Sequence, residues 1–257
     1  NAGLKELKVE VCNYLKRKLD LNYDYNKEVM ITVGGSEAID LAIRAMINPG
    51  EEVLIPQPSY VSYVPCVELA YGVPVIIELK EENEFRLTKQ ELLDHITDKT
   101  KILVLPFPNN PTGAIMERAD LEDIAQICIE NDIFVISDEI YSELTYGREH
   151  VSIACLPEMR ERTVLINGFS KAYAMTGWRL GYAAAPEPIM SQMIKIHQFA
   201  IMCAPTTSQY AAVEALRNGD GDVKRMCESY NQRRKFLLHE FRDMGLDCFE
   251  PFGAFYV

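Results

Sequence analysis

The sequence has few of the residues that build metal centres or disulfide frameworks. It contains four histidines, one tryptophan and seven cysteines in 257 residues. The cysteines are scattered without a Cys-x-x-Cys pair, which is typical of reduced thiols in a cytosolic protein. The histidines are too far apart along the chain for metal-ligand spacing, so we expect no metal site. The four positions are His95, His150, His197 and His239.

Long apolar runs and an excess of basic residues are also absent. No apolar run approaches the roughly 20 residues that are needed to cross a bilayer, so we expect a cytoplasmic chain without a membrane partner. The formal net charge is −12. Binding to nucleic acid requires a basic face, and we therefore expect no nucleic-acid partner.

Apolar runs that resemble strands alternate with helical patterns along the chain. This alternation predicts an α/β fold, a mostly parallel sheet sandwiched by helices. The predicted strands are 30–33, 52–55, 73–79, 102–106, 133–137, 163–166 and 180–185. The predicted helices are 36–47, 59–71, 89–96, 118–131, 188–201 and a long one at 223–244.

The pattern also predicts how the chain is divided into domains. We predict a large domain over residues 1–222, a connecting helix over 223–246 and the start of a small C-terminal domain over 247–257. A helical stripe begins almost at residue 1, and residues 253–257 form an apolar segment that predicts a strand. We therefore expect the chain to be truncated at both ends, as part of a longer protein.

Three polar residues lie within five positions after the ends of predicted strands. Asn110, Asp138 and Lys171 come after the strands at 102–106, 133–137 and 163–166. Ligands of open parallel sheets bind at the carboxyl ends of the strands. The sequence therefore predicts that these three side chains share one site.

Two segments could hold a phosphate. Residues 32–38 pass from a strand through two glycines into a helix, and the N–H groups at such a helix start suit an anion. An equally good interpretation is a tight turn in which Ser36 caps the helix. In the second segment, Ser170 and Arg179 could bind a phosphate beside the nucleophilic amine of Lys171.

Three further residues that are candidates for the site also have a purely structural interpretation. Asn110 lies among turn-forming residues, so it could serve loop geometry alone. Asp138 could cap the next helix, although a buried carboxylate needs a positive partner. Tyr60 could be a core aromatic residue at a helix start.

Four segments together resemble the class I and II aminotransferases, enzymes of the pyridoxal 5′-phosphate (PLP) fold type I. In chain order these are GGSEA at 34–38, NNPTG at 109–113, SDEIY at 137–141 and SKAYAMTGWRLGY at 170–182. Their order and spacing match over nearly the whole chain. The sequence is most similar to the bacterial aspartate or aromatic enzymes and to the N-acetyl-diaminopimelate aminotransferase-like group. The resemblance implies a homodimeric, PLP-dependent enzyme that moves an amino group between an L-amino acid and a 2-oxo acid.

The resemblance also implies the role of each site residue. Lys171 would hold the cofactor aldehyde as a Schiff base and then move a proton as the base. Asp138 would pair with the pyridinium nitrogen, and Tyr60 would stack on the ring. The residues implied to contact cofactor oxygens are Tyr141 and Asn110 at the 3-oxygen, and Gly35, Ser36, Ser170 and Arg179 at the phosphate.

Two other functions share parts of this pattern. A PLP-dependent C–S β-lyase has the same fold, but usually carries histidine in the place of Tyr141. An aminotransferase-like sensor domain of a transcription regulator would need a basic winged-helix segment. The resemblance also places a substrate-binding arginine and an N-terminal arm outside residues 1–257. We therefore expect this chain alone to turn over its substrates poorly. The identity of the amino donor stays open.

Overall fold

Seven strands form one sheet in the computed structural model, which describes residues 2–257. In chain order the strands are β1 (Val29–Thr32), β2 (Glu52–Gln57), β3 (Val73–Glu78), β4 (Thr100–Leu105), β5 (Phe134–Asp138), β6 (Thr163–Gly168) and β7 (Gly181–Ala184). Their spatial order is β1-β7-β6-β5-β4-β2-β3. The strands from β6 across to β3 pair in parallel, and β7 pairs antiparallel with both β6 and β1. The mostly parallel α/β sheet predicted from the sequence is confirmed.

Eight α-helices accompany the sheet in the described part of the chain. They are α1 (Lys5–Leu19), α2 (Gly35–Met46), α3 (Tyr63–Leu69), α4 (Lys89–Leu93), α5 (Arg118–Glu130), α6 (Glu187–Ala200), α7 (Thr206–Asn218) and α8 (Asp220–Asp243). The predicted helices are all present, with their ends shifted by a few residues. Within residues 2–257, no helix is both long and apolar enough to cross a membrane.

Helix α7 is missing from the sequence-based predictions. It follows Pro205 and begins with Thr-Thr-Ser, a composition that is as typical of a loop as of a helix. Its buried side includes the small residue Ala212 beside Val213 and Leu216. Only the first turn has this ambiguous composition, because the rest of α7 contains strong helix formers such as alanine and leucine, and the helix packs against α1.

Alternating side chains of the sheet form cores on both faces. On β6, Val164 and Ile166 pack into the core that contains α2 and α6, while Leu165 points to the other face. That other face is covered by α1 and α7 near β7 and by α5 near β4 and β5. Because both faces are buried, the central strands consist of continuous apolar runs, and the polar groups concentrate at the strand ends.

Residues 247–257 do not form the strand that was predicted at 253–257. Only Gly253 makes a bridge, with Thr145, and its N–H donates to the carbonyl oxygen of Gly113. The next N–H, that of Ala254, donates to the carbonyl oxygen of Leu144. The backbone of this segment therefore bonds to loops at the carboxyl edge of the sheet instead of to a neighbouring strand. The predicted domain limits at 222 and 246 stay a prediction.

Candidate functional site

A cavity of about 170 Å³ opens at the carboxyl edge of the sheet. The strands that lead into it are β4, β5 and β6, as expected for an open parallel sheet. All nine residues singled out in the sequence line this cavity. They are Gly35, Ser36, Tyr60, Asn110, Asp138, Tyr141, Ser170, Lys171 and Arg179.

Lys171 lies on the loop that joins the antiparallel strands β6 and β7. The pair Gly168 and Gly181 closes this loop at its base. Phe169, fully buried, anchors it in the core. On the cavity side, the Thr176 hydroxyl donates to the carbonyl oxygen of Ser170 at 2.9 Å. The loop therefore holds the lysine on a rigid connection at the strand ends.

The Lys171 amine is half-buried between aromatic rings. Its Nζ lies 5.4 Å from the centre of the Tyr141 ring and 5.2 Å from that of Phe255. Burial lowers the pKa of Lys171 and Arg179 lowers it further, against an opposing effect of Tyr60. No carboxylate of residues 2–257 pairs with this amine. A larger share of neutral amine is therefore available near neutral pH to act as a nucleophile or base.

Asp138 ends β5 as a buried carboxylate on the cavity wall. One oxygen accepts a hydrogen bond from the Tyr63 hydroxyl at 2.7 Å, and the other accepts from the Ile140 N–H at 3.3 Å. Burial raises the pKa of Asp138 and Glu139 adds to the rise, while the bonds from Tyr63 and Ile140 oppose it.

The surroundings of Asp138 leave room for a positive partner. A turn follows this residue, so it does not cap a helix, and no lysine or arginine of the described residues forms an ion pair with it. Because a buried carboxylate is stabilised by a cation, a ligand with a positively charged N–H would complete its environment.

The start of α2 lies beside the same cavity. Gly34 is the N-cap residue and has a φ of 78°, so the Ser36 hydroxyl does not cap the helix. That hydroxyl lies 3.4 Å from the hydroxyl of Tyr60. The free N–H groups at this helix start face a region where an anion is favoured.

Arg179 supplies the positive charge on the other side of that region. Its guanidinium donates to the carbonyl oxygen of Thr176 at 3.0 Å and forms no ion pair with a carboxylate of residues 2–257. A Cβ on Gly34 would lie 2.9 Å from the guanidinium, and a Cβ on Gly181 would lie 2.6 Å from the backbone of Gly34. The absence of side chains at these two glycines allows the helix start, the guanidinium and β7 to meet.

Asn110 and Tyr141 form another part of the wall. The side chain of Asn109 accepts hydrogen bonds from the N–H and the hydroxyl of Thr112, at 3.1 Å and 2.9 Å, and so fixes the turn that carries Asn110. The hydroxyl of Tyr141 lies 2.7 Å from that of Tyr256. Burial raises the pKa of Tyr141, which keeps it a neutral phenol that can donate a hydrogen bond.

The sequence did not identify several residues of this site. Tyr63 and Thr176 line the cavity, while Phe255 and Tyr256 contact Lys171 and Tyr141. A signal was available for Tyr63, since residues three apart lie on the same side of a helical turn and Tyr60 was already a candidate. The contacts of Phe255 and Tyr256 join residues far apart in sequence, and no local pattern indicates them.

Comparisons with known proteins agree with this geometry. The family model described as aminotransferase class I and II matches residues 1–257. A putative aminotransferase of Bacillus subtilis, YugH, is 48% identical over 100% of this chain and 67% of its own length. The aspartate aminotransferase of Pyrococcus abyssi is 45% identical over the same shares.

A solved aminotransferase structure is also similar to this chain. The aromatic aminotransferase from Pyrococcus horikoshii superposes with a TM-score of 0.96 at 43% identity, over 98% of this chain and 69% of that one. The chain spans about two thirds of the length of the relatives it matches. With all 257 residues matched by the family model, the chain belongs to the class I and II aminotransferases, enzymes that transfer amino groups with pyridoxal 5′-phosphate.

Proposed function

We propose that the nine cavity residues hold PLP and that Lys171 carries out the chemistry of amino transfer between an L-amino acid and a 2-oxo acid. Bound PLP supplies an aldehyde that condenses with amines and a pyridinium ring that withdraws electrons from the carbon being deprotonated. The observation that carries the proposal is the shared cavity of Lys171 and Asp138, an amine of lowered pKa and a buried carboxylate without a cationic partner.

Two charged side chains of the cavity have no ion-pair partner within residues 2–257, and each matches a group of this cofactor. Asp138 has no ion pair with a cation of residues 2–257, and Arg179 has none with an anion. PLP carries a pyridinium nitrogen for the first and a phosphate for the second. The turn at Gly34 and Gly35, which a Cβ at position 34 or 181 would obstruct, leaves backbone N–H groups for the phosphate oxygens.

Lys171 has two tasks in this proposal. Its neutral amine would condense with the aldehyde of the cofactor, whose oxygen leaves as water, and so hold the cofactor covalently in the cavity. Once the amino acid has displaced it, the Nζ would move the proton between the α-carbon of the substrate and C4′ of the cofactor. A base is most effective when its pKa is close to the working pH, and the partial burial of Lys171 lowers its pKa in that direction.

The remaining residues orient the cofactor ring. Asp138 would accept the hydrogen on the ring nitrogen, and its own position is fixed by the hydrogen bond from Tyr63. Tyr60 would lie against the ring face, while Asn110 and the phenol of Tyr141 would donate hydrogen bonds to the 3-oxygen. These four residues would together set the position of the ring.

Two further observations support the proposed homodimer and the proposed cytoplasmic location. Large apolar side chains are exposed near the end of α6, with Phe199 91% and Met202 69% accessible. Such a patch is typical of a protein interface, and we propose that it contributes to a homodimer. The seven cysteines are free thiols, which supports a place in the reducing cytoplasm.

A donor screen tests the proposed reaction. The relatives are named for aspartate and for aromatic amino acids, and acetylated diamino acids complete the set of donors to compare. We expect the full-length protein, loaded with PLP, to form glutamate from 2-oxoglutarate with at least one of these donors. Release of pyruvate and ammonia from cystathionine without any 2-oxo acid would instead indicate a C–S β-lyase and contradict the proposal.

A further inference from the structure

Behind the start of α2 lies a histidine–carboxylate pair that does not line the cavity. Glu37 is in the first turn of α2, and His197 is in α6. The Nδ1 of His197 lies 2.6 Å from Oε1 of Glu37, and the histidine is fully buried. Because an ionised carboxylate only accepts hydrogen bonds, Nδ1 carries the hydrogen.

The other oxygen of Glu37 accepts a hydrogen bond from the N–H of Val33. Val33 directly precedes Gly34, the residue with positive φ at which the chain turns into α2. The carbonyl oxygen of Gly34 in turn accepts from the Thr32 hydroxyl at 2.8 Å. The turn at residues 33–35 is therefore held on one side by Thr32 and on the other by Glu37, whose orientation is fixed by His197.

The negative charge of Glu37 at this position calls for an explanation. Glu37 lies in the first turn of the helix whose start is proposed to bind the phosphate, where its negative charge repels that anion, and a largely buried carboxylate is costly unless it is hydrogen-bonded. An apolar residue would avoid both costs but would leave the N–H of Val33 without this acceptor. What the pair contributes is therefore a fixed geometry of the turn at residues 33–35.

We propose that Glu37 and His197 are positioning residues that hold the turn at 33–35 in the shape that binds the phosphate group of the cofactor. The inference rests on the proposed function, since it takes the anion at this turn to be the phosphate of PLP. Glu37 and His197 would then act on affinity for the phosphorylated cofactor and not on the amine chemistry at Lys171.

Comparison of PLP with pyridoxal, which lacks the phosphate, separates this role from a general structural one. Dissociation constants of both compounds are measured by absorbance titration of the apoprotein. Glu37→Ala is expected to weaken PLP binding by about tenfold, the effect of losing one hydrogen bond to a charged group, and to leave pyridoxal binding unchanged. Glu37→Gln keeps an oxygen for the N–H of Val33 and is expected to restore most of the PLP affinity.

Two further variants complete the experiment. His197→Leu leaves Glu37 on Val33 and is expected to change the PLP-to-pyridoxal ratio in the same direction by a smaller factor, which tests the inference even if Glu37→Ala does not fold. His150→Gln is the matched control. It alters another histidine–carboxylate pair, in which Nε2 of the partly buried His150 lies 2.8 Å from the buried Glu139. Neither residue lines the cavity, so this variant is expected to keep the wild-type ratio.

The outcomes distinguish the inference from the function on which it rests. If Glu37→Ala and His197→Leu weaken PLP and pyridoxal by the same factor, or change neither, the positioning role is wrong although the protein still binds PLP. If the wild-type protein binds the two compounds equally well, the assignment of the phosphate to this turn is itself wrong.

Discussion

Lys171→Ala is expected to abolish covalent binding of PLP and to lower amino transfer by about 10⁴-fold or more, because the variant loses both the nucleophile and the general base. No other lysine lines the cavity in the described part of the chain. The visible absorbance of cofactor bound to lysine should therefore disappear. Absorbance spectra of the PLP-loaded protein and a coupled assay of glutamate formation measure the two effects.

A matched control for this variant is Lys195→Ala. Lys195 is exposed on α6, where its amine bonds the side chain of Gln192 at 2.9 Å. Its loss is expected to change neither the spectrum nor the rate. A Lys171→Ala protein with full transaminase activity would contradict the assignment of the active-site lysine.

Asp138→Asn is expected to lower amino transfer by about a hundredfold or more while the protein stays folded. Asparagine has the same shape but no charge, so the protonated ring nitrogen loses its ionic partner. An unpaired charge in a buried site costs roughly 3–5 kcal/mol, and 1.36 kcal/mol corresponds to a factor of ten in rate. Steady-state rates and the thermal midpoint Tm of the loaded protein are measured together.

Tyr63→Phe gives a graded comparison at the same site. The variant keeps the ring of Tyr63 and removes only the hydroxyl that donates to Asp138. A decrease of about tenfold is expected, consistent with loss of one hydrogen bond to a charged acceptor. Equal activity of Asp138→Asn and the wild type would contradict the pairing of Asp138 with the ring nitrogen.

Sequence patterns were sufficient to predict the strands of the sheet and the residues that line the cavity at its carboxyl edge. Both faces of the central strands are buried, so each strand is a short apolar run with polar residues at or shortly after its end, such as Asp138 in β5 and Lys171 after β6. The order of strands and the antiparallel β7 depend on pairing between distant segments, which local patterns do not specify. The same limitation explains why the segment at 253–257 was wrongly predicted as a strand.

The contacts that support the site could not be predicted from the sequence for a related reason. His197 and Glu37 lie 160 residues apart, and Tyr141 and Tyr256 lie 115 apart. Each residue alone is compatible with an ordinary helix or core position. Only in the folded chain do the two members of each pair come into contact.

Reductive trapping tests the central claim most directly. Borohydride reduction of the PLP-loaded protein makes the bond between cofactor and lysine permanent, and peptide mass mapping then locates the label. Lys171 is the residue that we expect to carry it, with one label per chain. A label on a different lysine, or none on any peptide of a protein that has bound PLP, would contradict the account.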